Sequence, residues 1–392
     1  MLPYIAVGLL LAVLTLLSAQ GKWLTGSRYI ALGVLIIFAG LRYQLGYDWL
    51  GYERLFEFVP DNWDVSQYGL SRSILATEPI YYLLNVAIKS IGGSFELLLL
   101  IFAVFNLIVI DRLVNKIAPG SAAFVWLIYF CVALLAVQFN LIRQAVASSF
   151  VIIALMKSSE RRYWQAALWF VVGLGFHVSV IVFMPVFLVQ NITPRPWHVA
   201  VSIGITVCLF GASQALGVRT LELVGGWLPE FIGSKTENYI QGFQSGAAFS
   251  GISPFAVLLV FAYLYLLTVF LKAERHVYIN VAIYLTLLVL FAHVAFAEFP
   301  SLWNRIMCVS LPWQLACLWG IGYFRRLPAY ARSSMLAVLA TFSIGVMTYQ
   351  LSRPESVPFV PYHSLAQVWL FGDQGDGRLR AEYTIQTANV QH

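Results

Sequence analysis

Six polar side chains stand where apolar runs of the sequence begin or end. Arg42 and Asp48 lie in LRYQLGYDW, Glu78 directly precedes Pro79, Arg143 lies in QFNLIRQA, His177 in GLGFHVSV and Arg305 in LWNRIM. An Arg, Asp or His within an apolar span costs at least about 2.5–3.5 kcal/mol on insertion scales, so each needs a reason to be there. Three arginines with few compensating carboxylates suit a dianion or a pyrophosphate, because a guanidinium binds phosphate oxygens in pairs and stays charged at any pH. His177, Asp48 and Glu78 are the groups that could exchange a proton beside that anion. The aromatic residues Tyr43, Tyr47, Trp49, Tyr52, Tyr81, Tyr82 and Trp303 suit the apolar faces of sugar rings. An amphiphile with a lipid tail, a phosphate bridge and a glycan head would use all three features.

Each residue also has a plainer reading. Arg42 alone reads as an interfacial arginine whose stem lies in lipid, and His177 alone as a satisfied packing histidine. Asp48 and Glu78 could pair with arginines simply to hold loops. Arg143 carries more weight, since Asn140 and Gln144 flank it on a helix that otherwise reads Leu, Ile, Ala and Val, and Arg305 beside Asn304 is similarly placed. Taken together, six groups far apart in sequence fall on one side at one depth, which coincidence explains poorly. No phosphate-binding loop, GxSxG, HExxH or dinucleotide fingerprint occurs, so nucleotide-driven chemistry is not indicated.

The elements that must position these groups follow from composition. Of 392 residues, 60% are hydrophobic and only 11% charged, whereas a soluble domain carries about 25% charged and about 45–50% apolar residues. The solvent is therefore lipid. With 28 Phe, 20 Tyr and 12 Trp the chain is not disordered. The net charge of +6 is spread over short loops with no basic stripe, which fits positive-inside topology rather than nucleic acid. Cys131, Cys208, Cys308 and Cys317 lie in apolar runs without a CxxC pair or a nearby His, so they read as buried thiols and not as a disulfide framework or zinc site. The amino-terminal MLPYIAVGLLLAVLTLLSAQ lacks a basic leader and reads as a retained first span.

Runs able to cross lie near 3 to 19, 29 to 45, 95 to 112, 120 to 137, 139 to 156, 163 to 190, 197 to 216, 253 to 271, 277 to 298, 303 to 323 and 333 to 350. The stretch from 79 to 91 is too short to cross, and 163 to 190, with Gly173, Gly175 and Pro185, is long enough to be two short helices. The expected fold is all-α: a polytopic transmembrane helix bundle of about 11–13 helical segments. Thirteen of the 24 basic residues sit in short loops (Lys22, Arg28, Arg112, Lys116, Lys157, Arg161, Arg162, Arg195, Lys272, Arg275, Arg325, Arg326, Arg332) with only Asp111, Glu160 and Glu274 beside them, which makes that face cytoplasmic. Parity then requires 163 to 190 to cross twice and 79 to 91 to lie as a re-entrant or interfacial helix. Residues 1–392 form a single membrane domain. The loops 42–78 and 217–252 fall outside the cytoplasm, each with an amphipathic surface helix, as does the tail 351–392, which is expected to be flexible beyond about Phe371.

The succession GLRYQLGYDWLGYERLF (40 to 56), EPIYYLLN (78 to 85), FNLIRQAVASS (139 to 149), FHVSVIVFMPVF (176 to 187), NRIM (304 to 307) and PY (361 to 362) resembles the EpsG family of Wzy-like polysaccharide polymerases, over about residues 28 to 362. The resemblance implies a GT-C-like glycosyltransferase in the bacterial inner (cytoplasmic) membrane, with its active site facing the periplasm. It would transfer a growing glycan from one undecaprenyl pyrophosphate to the non-reducing sugar of another, building O-antigen, capsule or exopolysaccharide. On that reading Arg143 and Arg305, with Arg42, hold the pyrophosphate. His177, Asp48 and Glu78, in that order, are the candidate bases, and Tyr47, Tyr81, Asn140, Gln144, Asn304 and Tyr362 would meet the glycan. No cofactor and no metal ligands are expected; Mg²⁺ could serve a pyrophosphate, but the arginines make it unnecessary. The partners implied are the lipid-linked donor and acceptor, the bilayer, and as candidates a chain-length regulator and a flippase, with no nucleic acid. Alternatives are a ligase-like or acyl-transferring enzyme on the same lipids, or a flippase. A transporter would carry polar groups through the full depth of the bundle and often shows inverted repeats, and a scaffold would leave the arginines unexplained.

Overall fold

With hydrocarbon as solvent, every backbone N–H and C=O has to find its partner within its own segment, which leaves this apolar chain the helix. The computed structural model describes residues 1–21, 24–60, 78–216, 254–296, 300–320, 327–373 and 375–390. The loop 217–252, with the helix expected near 218 to 240, and the stretch 61–77 lie outside the described residues. The described residues form helices joined by loops, with no strand beyond one isolated bridge between Arg42 and Ser364. Among the described residues, five helices are long and apolar enough to cross a membrane: α1 (Leu2–Ala19), α5 (Phe95–Ile117), α10 (Pro196–Leu216), α12 (Val277–Ala295) and α14 (Ala329–Ser352). The protein is a polytopic helical membrane protein.

α5 forms the middle of the bundle. It packs on α2 (Leu24–Gly40), on α6 (Ala122–Val132), on α7 (Ile142–Ser159) and on α13 (Pro300–Gly320). α6 is buried on nearly every side, as a helix apolar all round must be. α6 does not run straight into α7. Leu135–Asn140 forms a π-helical turn, Leu141 breaks the chain, and Ile142 starts α7. Four buried side chains hold this junction. Ser149 donates to Asn106 at 2.9 Å, Asn106 to Gln138 at 3.2 Å, and Gln138 to the Tyr129 hydroxyl at 2.9 Å.

The run from 163 to 190 is a hairpin. α8 (Tyr163–Phe176) leads to His177, a 3-10 turn (Val178–Phe183) follows, and α9 (Met184–Val189) returns. Gln190 then donates to Ser158 and Asn191 to Tyr163, so the chain comes back to the end it left. That end carries the basic loops. Arg28 grips Asp111 through Nε and Nη2, and Glu160 sits among Lys116, Lys157 and Arg162.

At the opposite end lie two short helices, α3 (Trp49–Phe58) and α4 (Pro79–Ser90). α4 has 12 residues, about 18 Å at 1.5 Å per residue, well short of a hydrocarbon core about 30 Å thick. Its buried face, Tyr81, Tyr82, Asn85, Val86 and Ile88, follows helical spacing. Lys89 of α4 donates to the Glu57 and Val59 carbonyls, both at 2.6 Å, and so closes the carboxy-terminal end of α3.

The structure departs from sequence expectation at three places. The second span stops at Gly40, because Tyr43 N–H bonds the His363 carbonyl and Leu365 N–H bonds the Leu41 carbonyl, which pulls the chain out of helix. Cys208 is exposed on α10, while Cys131, Cys308 and Cys317 are buried, all four as free thiols. The tail is not left loose beyond Phe371. After α15 (Leu365–Phe371), which is closed by a Ser364–Gln367 capping box, α16 (Gly377–Val390) docks by Arg380 donating to the Val357 and Pro361 carbonyls and by Arg378 pairing with Glu53 at 2.7 Å. The glycine-rich composition of GDQGDG reads as flexible, but the helix that follows it is pinned by contacts distant in sequence.

Candidate functional site

Glu78 stands directly before α4 without a side-chain capping bond, and Arg143 lies in the first turn of α7. Arg143 Nη1 donates to Glu78 Oε2 at 2.6 Å, and the other carboxylate oxygen, Oε1, lies 3.6 Å from His177 Nδ1. One carboxylate thus faces both a guanidinium and an imidazole. Its side chain is only 8% exposed, while Arg143 keeps 24% exposed. His177 is presented at the hairpin tip, where Nδ1 accepts the Ser179 N–H at 3.2 Å. Ser179 in turn donates to Gln144, which donates to Ser148 at 3.3 Å, tying the tip to α7.

The Arg143 guanidinium carbon is 5.4 Å from the ring centres of both Tyr52 and Tyr81. Two aromatic faces about a cation restrain it in orientation while leaving its fork free to bond. A cation in the first turn of a helix is on the wrong end for the helix dipole. Glu78 and the two rings offset that cost.

Asp48 precedes α3, and its carboxylate does not cap that helix. Surrounding protein holds the Asp48 carboxyl above the usual carboxylate range, with Arg305 and then Arg143 pulling it part of the way back. Asp48 is thus within electrostatic reach of both arginines. The Tyr52 phenol, one turn along α3, is likewise raised by burial, against the pull of Arg143. Arg305 lies in the second turn of α13, which packs against α7, so α7 and α13 bring two arginines to the same end of the bundle.

Arg42 stands apart from these groups. It is 2% exposed, donates through Nη1 to the Ala39 carbonyl at 2.6 Å, and lies 4.9 Å from the centre of the Phe139 ring. Its electrostatic neighbours are Tyr362 and Tyr4. The Tyr362 hydroxyl donates to the Phe38 carbonyl at 2.8 Å and its ring stacks on Phe38 at 4.3 Å. Arg42 and Tyr362 therefore pin the 359–365 segment to α2.

A cavity of about 390 Å³ adjoins the charged cluster. Tyr47, Asn140, Trp303 and Asn304 line it together with Gln350, Arg353 and Ser356, against an apolar wall that includes Val132, Leu135, Leu259 and Met307. Tyr47 N–H bonds Asn140 Oδ1 at 2.8 Å, which joins the loop before α3 to the end of the π turn. Gly46 allows that contact. Its φ is +109°, and a Cβ there would lie 2.8 Å from Asn140 Oδ1 and the Phe139 carbonyl oxygen.

Of the residues singled out in the sequence, the structure brings Asp48, Glu78, Tyr81, Arg143, Gln144, His177 and Arg305 into one neighbourhood, sets Tyr47, Asn140 and Asn304 in the cavity wall, and puts Arg42 and Tyr362 elsewhere. Sequence reasoning missed Gln350, Arg353 and the buried His293, whose ring meets Trp303 edge to face at 5.0 Å. Arg353 follows the last span and precedes Pro354, the position of an ordinary interfacial arginine. Among the described residues no three His, Cys, Asp or Glu side chains are grouped to hold a metal.

The family model described as the EpsG family matches residues 27–364. Neither the curated proteins nor the solved structures contain a match to this chain.

Proposed function

The chain belongs to the EpsG family, a family of Wzy-like polymerases, and on that premise we propose that it is a glycosyltransferase joining polyprenyl-pyrophosphate-linked oligosaccharides at the extracytoplasmic face of the bacterial inner membrane. The observation that carries the reading is Arg143, held by Glu78 at 2.6 Å between the Tyr52 and Tyr81 rings, with Arg305 near the start of α13 at the same end of the bundle. Two guanidinium groups near two positive helix ends favour an anion, and the Asp48 carboxylate lies within their electrostatic reach.

In the step proposed, Asp48 takes the proton of the acceptor hydroxyl and the acceptor oxygen forms a bond to the anomeric carbon of the donor sugar. The bond from that carbon to the pyrophosphate oxygen breaks, and its electron pair leaves with the polyprenyl pyrophosphate. Arg143 and Arg305 meet the charge that builds there. Asp48 suits the base because its raised carboxyl pKa makes it a stronger base than an exposed aspartate. His177 ranks below it: with Nδ1 accepting the Ser179 N–H, the neutral imidazole carries its proton on Nε2 and is a donor. Glu78 orients Arg143, and the Ser179 N–H orients His177. Arg42 is assigned to the fold, since its neighbours are Tyr4, Tyr362 and Phe139.

The test is a gel of lipid-linked and surface glycan from a strain lacking the gene, complemented with wild type or Arg143→Ala. Loss of the long-chain ladder with the single repeat unit still present supports the polymerase. An unchanged ladder, or loss of even the single unit, moves the protein to glycan modification or to transport.

A further inference from the structure

Three pairs of sequence neighbours are divided between two chambers. Asp48, Arg143 and Arg305 belong to the charged cluster, and Tyr47, Asn140 and Asn304, one to three residues away, line the cavity of about 390 Å³ beside it. The two chambers therefore share their walls. From this we infer that the cavity is the subsite for the sugar ring bonded directly to the pyrophosphate, the ring whose anomeric carbon reacts; the inference rests on the polymerase reading above. A ring one bond from the phosphate must lie directly beside the phosphate cluster, and the wall of this cavity is built on the same three short segments that carry Asp48, Arg143 and Arg305. Its lining also matches the ligand. Asn140, Asn304, Gln350 and Ser356 offer neutral hydrogen-bonding groups for hydroxyls, and Trp303 and Tyr47 offer aromatic faces for the C–H side of a pyranose. A polyprenyl tail would match the apolar wall but leave those amides facing hydrocarbon, and a bare phosphate would find Arg353 as the one charged partner among the described lining residues. The volume falls in the range of small-molecule sites, about 300–1000 Å³.

The experiment measures binding to the full-length protein in detergent. The probes are farnesyl pyrophosphate and a panel of farnesyl pyrophosphates, each carrying one hexose or N-acetylhexosamine. Wild type should bind at least one sugar-bearing probe about tenfold or more tightly than the plain one, an increment of about 1.4 kcal/mol. Trp303→Ala and Gln350→Ala should erase that advantage and leave plain farnesyl pyrophosphate binding unchanged, which also shows that the variants are folded. Trp303→Phe should restore part of it. Arg143→Ala should weaken both probes. If the cavity variants keep the sugar advantage, or weaken both probes equally, the subsite assignment is overturned while the polymerase reading stands. If wild type binds neither probe, the polymerase reading itself fails.

Discussion

Glu78 and Arg143 lie 65 residues apart and meet through a 2.6 Å hydrogen bond between Oε2 and Nη1. The pair ties the start of α4 to the start of α7, and the remaining carboxylate oxygen faces His177. Arg143→Ala should reduce polymerisation by about 10²–10³-fold, the usual cost of removing a group that stabilises transition-state charge. Arg143→Lys should rescue poorly, because an ammonium cannot bind two oxygens with one planar fork. Quantitation of the glycan ladder at matched protein levels decides it; a normal ladder from Arg143→Ala rejects the role.

The sign of the pH response follows from Asp48. A base works deprotonated, and the carboxyl is raised, so activity should be lost as pH falls through that raised pKa, above the ordinary aspartate value of about 3.9. Removing the Arg305 charge, as in Arg305→Gln, should move the acid limb to higher pH. Rates of repeat-unit consumption in proteoliposomes between pH 4 and about 8 report it. An acid limb that stays put in Asp48→Asn would assign the base elsewhere.

Arg42→Met should leave farnesyl pyrophosphate binding unchanged while shifting the melting temperature in detergent. The arginine is buried against Phe139, and its Nε and Nη2 atoms have no hydrogen bond among the described residues. Weakened lipid-pyrophosphate binding in this variant would return Arg42 to the ligand.

Gly46→Ala should destabilise the protein by about 1–3 kcal/mol, from a left-handed φ and a Cβ forced against Asn140 and Phe139. Thermal melts of the purified protein measure it, and an unchanged melting temperature would show that the loop relaxes freely.

Asn106→Leu should cost about 0.6–1.7 kcal/mol, the span measured for hydrogen bonds inside membrane proteins. It strands Gln138 and Ser149 together. The double variant Asn106→Leu with Gln138→Leu should cost less than the sum of the two singles, which a double-mutant cycle on melting curves tests.

The helical class and most of the spans were legible in the sequence because lipid enforces one pattern, long apolar runs punctuated by basic loops. The hairpin of 163 to 190 was legible too, since Gly173, Gly175 and Pro185 mark a run too long for one straight helix. What stayed hidden were relations between distant segments. Arg42 reads like Arg143 locally, and only the approach of Tyr4 and Tyr362, from the two ends of the chain, separates them. Gln350 and Arg353 carry no local signal, because their importance comes from the cavity they face. The docking of α16 through Arg378 and Arg380 lies in a stretch whose composition alone suggests disorder.

The π turn over Leu135–Asn140 is an α-helical turn with one residue added. The widened turn takes up that residue locally, so Asn140 and Arg143 keep the angular positions that an α-helix one residue shorter would give them. Deleting Ala136 would let the turn relax to α-helix with Asn140 and Arg143 held near their present angles, whereas the same deletion within the regular helix of α6 would swing both by about 100° about the axis. A one-residue length change is thus absorbed at this turn and displaces the site only where the helix is regular, so the π turn is the stretch in which the chain tolerates variation in length.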